Sequence, residues 1–294
     1  MATIDKFLED LLSSQDLLPV QVNSLQAHKM EVAGYLQKEF GDDPVIKYAG
    51  SYEKGTMIRD NYDLDIVCYF PSSDQRSLKE IRQDVTNHLA KNYQITAKAS
   101  AERIINLNGV LAPASYHIDV VPGRFIENTK DVFIYLAHGD KDRLQTNLKT
   151  HINYIVGSGC VPVIRLAKIW CHRNALEIKT FVLEMFVVET LKGANNKNNL
   201  SESFLRVLEA MKDDFKSKQL IDPANSNNIV SQQVDPVQKA QVAFKAELAF
   251  NQLNASNDVD VWQKAFNENP KQTLVSSATI NSSGLTPRAP WSCC

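Results

Sequence analysis

The chain opens with two segments, 4–13 and 21–40, in which apolar residues recur at the spacing of one helix face. In the second segment the apolar positions are Val22, Leu25, Val32, Leu36 and Phe40. Asp42, Asp43 and Pro44 then interrupt the pattern. The spacing therefore predicts two helices that end before position 44.

Between positions 45 and 136 the pattern changes to short runs typical of strands. Strands are predicted at 45–49, 63–70, 93–97, 103–107, 116–121 and 132–136. A helix predicted at 78–89 interrupts them. This part of the chain is expected to form a sheet.

Helical spacing returns from position 144 onward. Helices are predicted at 144–155, 161–173, 181–191, 204–215, 237–253 and 259–266. Asn-rich loops at 193–199 and 223–228 separate some of them. A strand-rich part followed by a helical part predicts an α+β fold with two lobes and a cleft between them.

We expect the first lobe, with the N-terminal helices and the sheet, to cover 1–140 and the helical lobe to cover 141–270. The remaining residues, 271–294, have the Ser, Thr, Pro and Gly content typical of a flexible tail.

Composition restricts the functional classes. With 294 residues, of which 44% are hydrophobic, the chain can bury a substantial core, and its net charge of -2 does not suggest a protein that grips long polyanions. The N-terminus lacks a basic region ahead of an apolar core, and no apolar run approaches the roughly 20 residues that span a bilayer. The five cysteines have no metal-finger spacing. We therefore expect a cytoplasmic protein with free thiols and no membrane association.

The first chemical signal is Gly50-Ser51, directly after a predicted strand. Gly50 permits a sharp turn and a close approach of backbone N-H groups to a ligand, while Ser51 offers a hydroxyl to phosphate oxygens. The same dipeptide is also common in plain turns. Gly50-Ser51 is thus a candidate phosphate cradle.

The second signal is a set of carboxylates. Asp63 and Asp65 are two residues apart, so on a strand both project from the same face. Asp119 lies in another alternating strand that can pair beside the first. The alternative for Asp63 and Asp65 alone is an exposed strand edge with solvated acids. Together the three acids are predicted to bind two Mg²⁺ ions, or Mn²⁺ in their place, and Asp119 is the candidate general base.

Gly50-Ser51, Lys54-Gly55-Thr56, Asp63-x-Asp65 and Asp119 together resemble the signature of the polymerase-β-type nucleotidyltransferase superfamily. The helical sequence IRLAKIWCHRNALEIKTFVLEMF, at 164–186, resembles oligoadenylate synthases and the bacterial cGAS/DncV-like nucleotidyltransferases of antiphage signalling systems. The resemblance implies a polymerase-β-like catalytic lobe, a mixed sheet flanked by helices, followed by an oligoadenylate-synthase-like helical lobe.

The resemblance also implies roles for individual residues. Ser51 would contact phosphate, the three acids would bind metal, and Lys168 would reach the triphosphate. Lys179-Thr180 is similar to the family's Lys-Ser pair, with Thr in place of Ser.

Several residues have structural alternatives. Arg165, Lys168 and His172 fall on one side of a helix, and such a stripe is usually a solvated face. Thr180 can equally serve as the N-cap of the helix predicted to begin at Phe181. His117 is expected to be structural. The candidates for stacking on a base are Tyr52, Tyr62 and Tyr69.

The resemblance implies an enzyme that joins nucleoside triphosphates into a cyclic di- or oligonucleotide second messenger with release of pyrophosphate, without a DNA template. Two alternatives remain open at this point: transfer to another acceptor, such as an RNA 3′ end or a small-molecule hydroxyl, and a non-catalytic nucleotide-binding module. The resemblance also implies an accessory regulator or ligase, for which the C-terminal tail is a candidate docking site.

Overall fold

The computed structural model describes residues 3–107, 112–138, 141–194 and 197–267. The α-helices within these ranges are α1 (Ile4–Ser14), α2 (Pro19–Phe40), α3 (Gly50–Lys54), α4 (Leu78–Leu89), α5 (Leu148–Val156), α6 (Val161–Arg173), α7 (Thr180–Thr190), α8 (Leu200–Asp213), α9 (Pro236–Asn254) and α10 (Val259–Ala265). The strands are β1 (Val45–Tyr48), β2 (Leu64–Phe70), β3 (Gln94–Ala97), β4 (Glu102–Ile105), β5 (Ile118–Phe125), β6 (Val132–Tyr135), β7 (Arg143–Thr146), β8 (Ile221–Asp222) and β9 (Asn225–Ile229). A 3-10 helix covers Val230–Gln233.

Seven of these strands form one mixed sheet with the central order β1-β2-β5-β4-β3. β2 and β5 are parallel neighbours, while β1 joins β2 and β4 joins β5 in antiparallel pairs. β6 pairs with the later part of β5, and β7 continues from β6. The parallel pair β2-β5 therefore lies inside the sheet, with its carboxylates surrounded by ordered backbone.

Within the described ranges the buried apolar residues form three clusters, two of them large and a smaller third that contains Val67 and Val132. Against one face of the sheet, α2 and α4 pack their apolar residues, including Leu25, Leu36 and Ile81, onto Ile66 and Ile118. The helical core is built from α6, α7, α8, α9 and α10, with Trp170 and Trp262 fully buried. α1 contributes to this helical core through Phe7, Leu8 and Leu11.

The prediction of an α+β fold is confirmed, with corrections to the elements. Residues 144–155, predicted as one helix, form β7 and α5, because Arg143–Thr146 pairs with β6 and the Asn147 side chain then caps α5 by accepting a hydrogen bond from Thr150 N. Residues 223–228, predicted as a loop, belong to the antiparallel hairpin of β8 and β9.

These pairings also shift the expected lobe limits. The sheet continues to Thr146, beyond position 140, and α1 packs with the helical part although it lies at the start of the chain. The predicted tail, 271–294, lies outside the described residues.

Over the described ranges, no single helix is long and apolar enough to cross a membrane. α5 and α6 meet the length and composition test only as a pair, and they are bent by 97° relative to each other.

Candidate active site

The sheet register brings two of the predicted acids together. Asp65 of β2 and Asp119 of β5 are direct partners across the parallel pair, and Asp63 lies immediately before β2. The alternating residues Leu64 and Ile66 are fully buried on the other face of the sheet. Strand periodicity therefore directs the three carboxylates away from the core beneath α2 and α4.

The Gly50-Ser51 turn packs directly against Asp65. Ala49 N donates to Asp65 O at 2.9 Å, and Gly50 has a φ of +59°. A Cβ added at Gly50 would lie 1.6 Å from Asp65 Oδ2, so only glycine fits at this position. Ser51, the second residue of α3, is buried beside it. The turn thus sets the distance between the candidate phosphate cradle and the carboxylates.

Two cationic side chains contact the carboxylates. Arg103, opposite Asp119 on β4, donates from Nε to Oδ1 and from Nη2 to Oδ2 of Asp119, each at 2.8 Å. His117 Nε2 lies 3.3 Å from Asp63 Oδ2 and 3.6 Å from Asp119 Oδ2. His117 was expected to be structural rather than catalytic, and the structure places its ring between two candidate metal ligands.

These contacts separate the pKa values of neighbouring groups. Burial opposes ionisation of Asp119, but the hydrogen bonds from Arg103 and the nearby His117 ring outweigh it and lower the pKa of Asp119 to about 2. Burial, followed by repulsion from Asp63 and Asp119, raises the pKa of Asp65 to about 7. Burial alone would lower the pKa of His117, whereas the nearby carboxylates of Asp119 and Asp63 raise that pKa to about 10.

The three carboxylates fit a divalent cation in donor type and in charge. Hard oxygen ligands suit Mg²⁺ and Mn²⁺, and the repulsion on Asp65 is the kind that a bound cation relieves. Within the described residues, no three His, Cys, Asp or Glu side chains are already arranged as a metal centre. Asp119 is instead bonded to Arg103. Asp63, Asp65 and Asp119 would hold the ions, and the assignment of the three as metal ligands stays a prediction.

A pocket of about 650 Å³ lies between the segments that precede β2 and β5 and the helices α6 and α7. The predicted site residues that line it are Ser51, Asp63, Lys168, Lys179 and Thr180. Of the three tyrosine candidates for base stacking, Tyr62 lines the pocket. Tyr52 packs on Tyr48 and Tyr69 packs on Phe125.

The basic stripe on α6 divides into residues with different roles. Arg165 donates to the carbonyls of Met57 and Leu12 at 3.2 Å and to Asp16 at 2.8 Å, so it joins segments of the chain. Lys168 is mostly buried and lines the pocket, with His172 one helical turn further on. The solvated-face alternative is therefore wrong for Lys168.

Thr180, the second residue of the predicted phosphate pair Lys179-Thr180, is not the N-cap of α7. α7 begins at Thr180 itself, and its N-cap is Lys179, which makes no side-chain capping bond. The hydroxyl of Thr180 therefore does not have the capping role that the sequence allowed. Lys179 and Thr180 both face the pocket at the start of α7.

Glu184 is the main residue that the sequence analysis missed. It lies on α7 with no exposed surface, and it accepts hydrogen bonds from Lys54 and Thr56. Lys168 Nζ is 3.8 Å from the same carboxylate. The available signal was a single acid within the apolar run FVLEMF, since a buried carboxylate needs cationic or polar partners.

Comparison with known proteins agrees with this geometry. The nucleotidyltransferase domain family matches residues 29–155, which contain the sheet and its carboxylates. The cyclic AMP-AMP-AMP synthase of Escherichia coli MS 115-1 is 21% identical to this chain, over 90% of the chain and 95% of the synthase.

Solved structures show the same fold. CdnG of Bradyrhizobium diazoefficiens, a CD-NTase in complex with GTP, superposes with a TM-score of 0.73 at 14% identity, over 94% of this chain and 98% of its own. CdnC of E. coli MS115-1, in complex with HORMA-deltaN, superposes with a TM-score of 0.68 at 18% identity, over 90% and 95%.

The family match identifies the part of the chain at residues 29–155 as a nucleotidyltransferase domain. The fold of the chain is the two-lobed fold of the cGAS/DncV-like nucleotidyltransferases, and the chain is homologous to cyclic nucleotide synthases. The predictions of a nucleotidyltransferase and of a two-lobed α+β fold are confirmed.

Proposed function

We propose that this protein joins nucleoside triphosphates into a cyclic di- or oligonucleotide second messenger, with divalent metal ions as cofactors and in antiphage defence signalling. The observation that carries the proposal is the group of carboxylates Asp63, Asp65 and Asp119, of which Asp63 lines a pocket that Ser51 and Lys168 also line. The pocket, at about 650 Å³, has the size of a small-molecule site rather than of a long groove.

In the proposed reaction a ribose hydroxyl oxygen of one nucleotide attacks the α-phosphorus of another. The new phosphodiester bond forms as the bond to the bridging oxygen of the β-phosphate breaks, and pyrophosphate leaves with that bonding pair. The hydroxyl proton passes to a nearby base. Asp119, the candidate from the sequence, is a weak base in this geometry, because Arg103 donates to both of its carboxylate oxygens and its pKa is lowered to about 2. When bound, two divalent cations would supply hydroxyl activation and neutralise charge on the leaving pyrophosphate.

Residues of the chain would hold the triphosphate in this geometry. Ser51 and the backbone of α3 approach it from the sheet, while Lys168 approaches from α6 and Lys179 from the start of α7. Lysine ammonium groups bind phosphate as point charges. Closure of the ring requires a second attack by the same chemistry at the same carboxylates.

The comparisons support a messenger product. The similar E. coli protein is named for a product of AMP units, and the solved CdnG structure contains GTP. Neither name decides which bases this pocket accepts, because specificity depends on side chains that line each pocket.

The decisive experiment incubates the purified protein with all four ribonucleoside triphosphates and Mg²⁺ or Mn²⁺. Products are identified by mass spectrometry after phosphatase treatment, with Asp63→Ala and Asp65→Ala as inactive variants. Asp84→Ala is a matched control, because Asp84 lies in the same lobe on α4, paired with Arg76.

A phosphatase-resistant cyclic product that disappears in Asp63→Ala and Asp65→Ala, and persists in Asp84→Ala, is the expected result. A linear product on an added RNA, or transfer to a small-molecule hydroxyl, would contradict messenger synthesis. Binding of triphosphates without turnover in the presence of metal would favour a nucleotide-binding module. The defence role is tested by phage plaque counts on native host cells with the wild-type or Asp63→Ala gene, and equal counts would refute it.

We further propose an accessory regulator or ligase that acts through the C-terminal tail. A solved relative of the same fold was captured with HORMA-deltaN, which supports regulation by a bound protein. Deletion of residues 282–294 should change activity or the binding of such a partner. If the deletion changes neither, the proposed role of the tail is wrong.

A further inference from the structure

We propose that Glu184 is a positioning residue that holds Lys54 and Lys168 in place for the triphosphate. The inference rests on the proposed function of the pocket. It concerns how two cations from different parts of the fold are kept at one site.

The contacts of Glu184 join the two parts of the molecule. Its carboxylate, on α7 of the helical part, accepts from Lys54 Nζ and Thr56 Oγ1, which follow the Gly50-Ser51 turn of the sheet part. Lys54 Nζ also lies 5.3 Å from the ring centroid of Phe181, one turn earlier on α7. Glu184 therefore ties the end of the candidate phosphate cradle to the pocket wall formed by α7.

Charge balance explains why a carboxylate is needed here. Lys54 is 7% exposed and Glu184 is 0% exposed, while the Lys168 ammonium is 3.8 Å from Glu184. Two nearby buried ammonium groups repel each other, and a fully buried carboxylate between them offsets that repulsion. The cluster of two lysines and one glutamate has a net charge of +1, and Lys168 is the member that lines the pocket, where a positive charge suits a polyanionic ligand.

The pKa of Lys168 agrees with this geometry. Burial lowers it, Glu184 raises it, and Lys54 lowers it, with Asp63 and Asp65 as further charges facing the ammonium group. Removal of the Glu184 charge would leave two cations without their shared anion. We expect one of them then to move away or to lose its proton.

The proposal predicts that loss of the Glu184 charge weakens binding of a nucleoside triphosphate much more than binding of a monophosphate. Glu184→Gln keeps the shape of the side chain but removes its charge, so affinity for a nucleoside triphosphate should fall by about ten- to a hundredfold. Affinity for the matching monophosphate should change by less than about threefold, because base and ribose contacts remain. Glu184→Asp keeps the charge on a shorter side chain and should give an intermediate ratio of the two affinities.

The experiment measures both affinities by titration calorimetry with Mg²⁺. The probes are ATP and GTP analogues with a methylene bridge between the α- and β-phosphates, together with AMP and GMP. Glu102→Gln is the matched control, because Glu102 is also buried and paired with a cation, Arg82, but on the far side of β4. This control should lower the melting temperature and leave the ratio of triphosphate to monophosphate affinity unchanged.

The outcomes separate this inference from the proposed function. A wild-type protein without any preference for triphosphate would overturn the proposed function. A wild-type preference that Glu184→Gln retains would overturn only the role of Glu184. If Glu184→Gln does not fold, the Glu184→Asp ratio decides, and a ratio equal to that of the wild type refutes the proposal.

Discussion

Arg103 and Asp119 are opposite each other on antiparallel strands, and the guanidinium donates to both carboxylate oxygens at 2.8 Å. This paired geometry fixes the plane of a carboxylate that is also predicted to bind metal. Arg103 thus orients the Asp119 carboxylate. Arg103 also helps to keep Asp119 ionised, because it is among the groups that lower the pKa of Asp119 to about 2.

Arg103→Gln should therefore reduce both metal affinity and turnover. Groups that orient a metal ligand typically contribute 10- to 100-fold to either property. Mn²⁺ binding followed by electron paramagnetic resonance, together with pyrophosphate release, measures the two effects. Arg143→Gln, at the first residue of β7, should change neither. Unchanged Mn²⁺ binding in Arg103→Gln would show that Asp119 needs no such support.

Asp65→Asn tests the repulsion among the three carboxylates by thermal melting, independently of catalysis. The amide removes repulsion with Asp63 and Asp119, so the metal-free variant should melt at a higher temperature, by about 2–4 °C for each kcal/mol of repulsion removed. Mg²⁺ at a hundredfold excess over its Kd should raise the free energy of unfolding of the wild type by about 2.7 kcal/mol, and its melting temperature should rise accordingly. The same Mg²⁺ concentration should raise the melting temperature of the variant much less. An equal response of both proteins to Mg²⁺ would exclude Asp65 as a ligand.

Gly50→Ala should damage the site more than it damages the fold. The added Cβ would lie 1.6 Å from Asp65 Oδ2, so either α3 or the carboxylate must move. A displacement of about 1 Å can reduce turnover by about a hundredfold. Gly159→Ala provides the control, because Gly159 also has a positive φ of +69° but an added Cβ meets nothing within 4 Å. Equal activity losses in the two variants would contradict this explanation.

Lys168→Gln and Arg165→Gln separate binding from scaffolding on one helix. Loss of the Lys168 charge should raise the KM for triphosphate by about tenfold or more, the size of a charge-assisted bond. Arg165→Gln should lower the melting temperature with little change in KM, because Arg165 bonds to Met57 O, Leu12 O and Asp16. Steady-state kinetics and thermal melts distinguish the two. A higher KM in Arg165→Gln, together with a lower melting temperature and unchanged KM in Lys168→Gln, would refute the proposed roles.

Most of the elements were predictable from local pattern. α2, α4 and α6 follow the helical spacing of apolar residues, and α4 and α6 have the predicted bounds. The exception at 144–155 is instructive, because the sequence of Arg143–Thr146 has no strong strand pattern and becomes a strand only by pairing with β6. The hairpin of β8 and β9 was missed because its residues are mostly polar and Asn-rich.

The sequence by itself determined that Asp63 and Asp65 share a face, since side chains two apart on a strand always do. It also indicated a sharp, permissive turn at Gly50-Ser51 before them. Strand alternation indicated Asp119 as a third acid, and the family resemblance directed attention to Lys168. Only the tertiary structure decided that Asp119 is the direct partner of Asp65, that Arg103 and His117 contact these acids, and that Glu184 joins Lys54 to Lys168. The physical reason is the separation of the residues along the chain. Periodicity fixes the direction of side chains that are close in sequence. Contacts between residues distant in sequence depend on strand order, on register and on the packing of α7 against the sheet part.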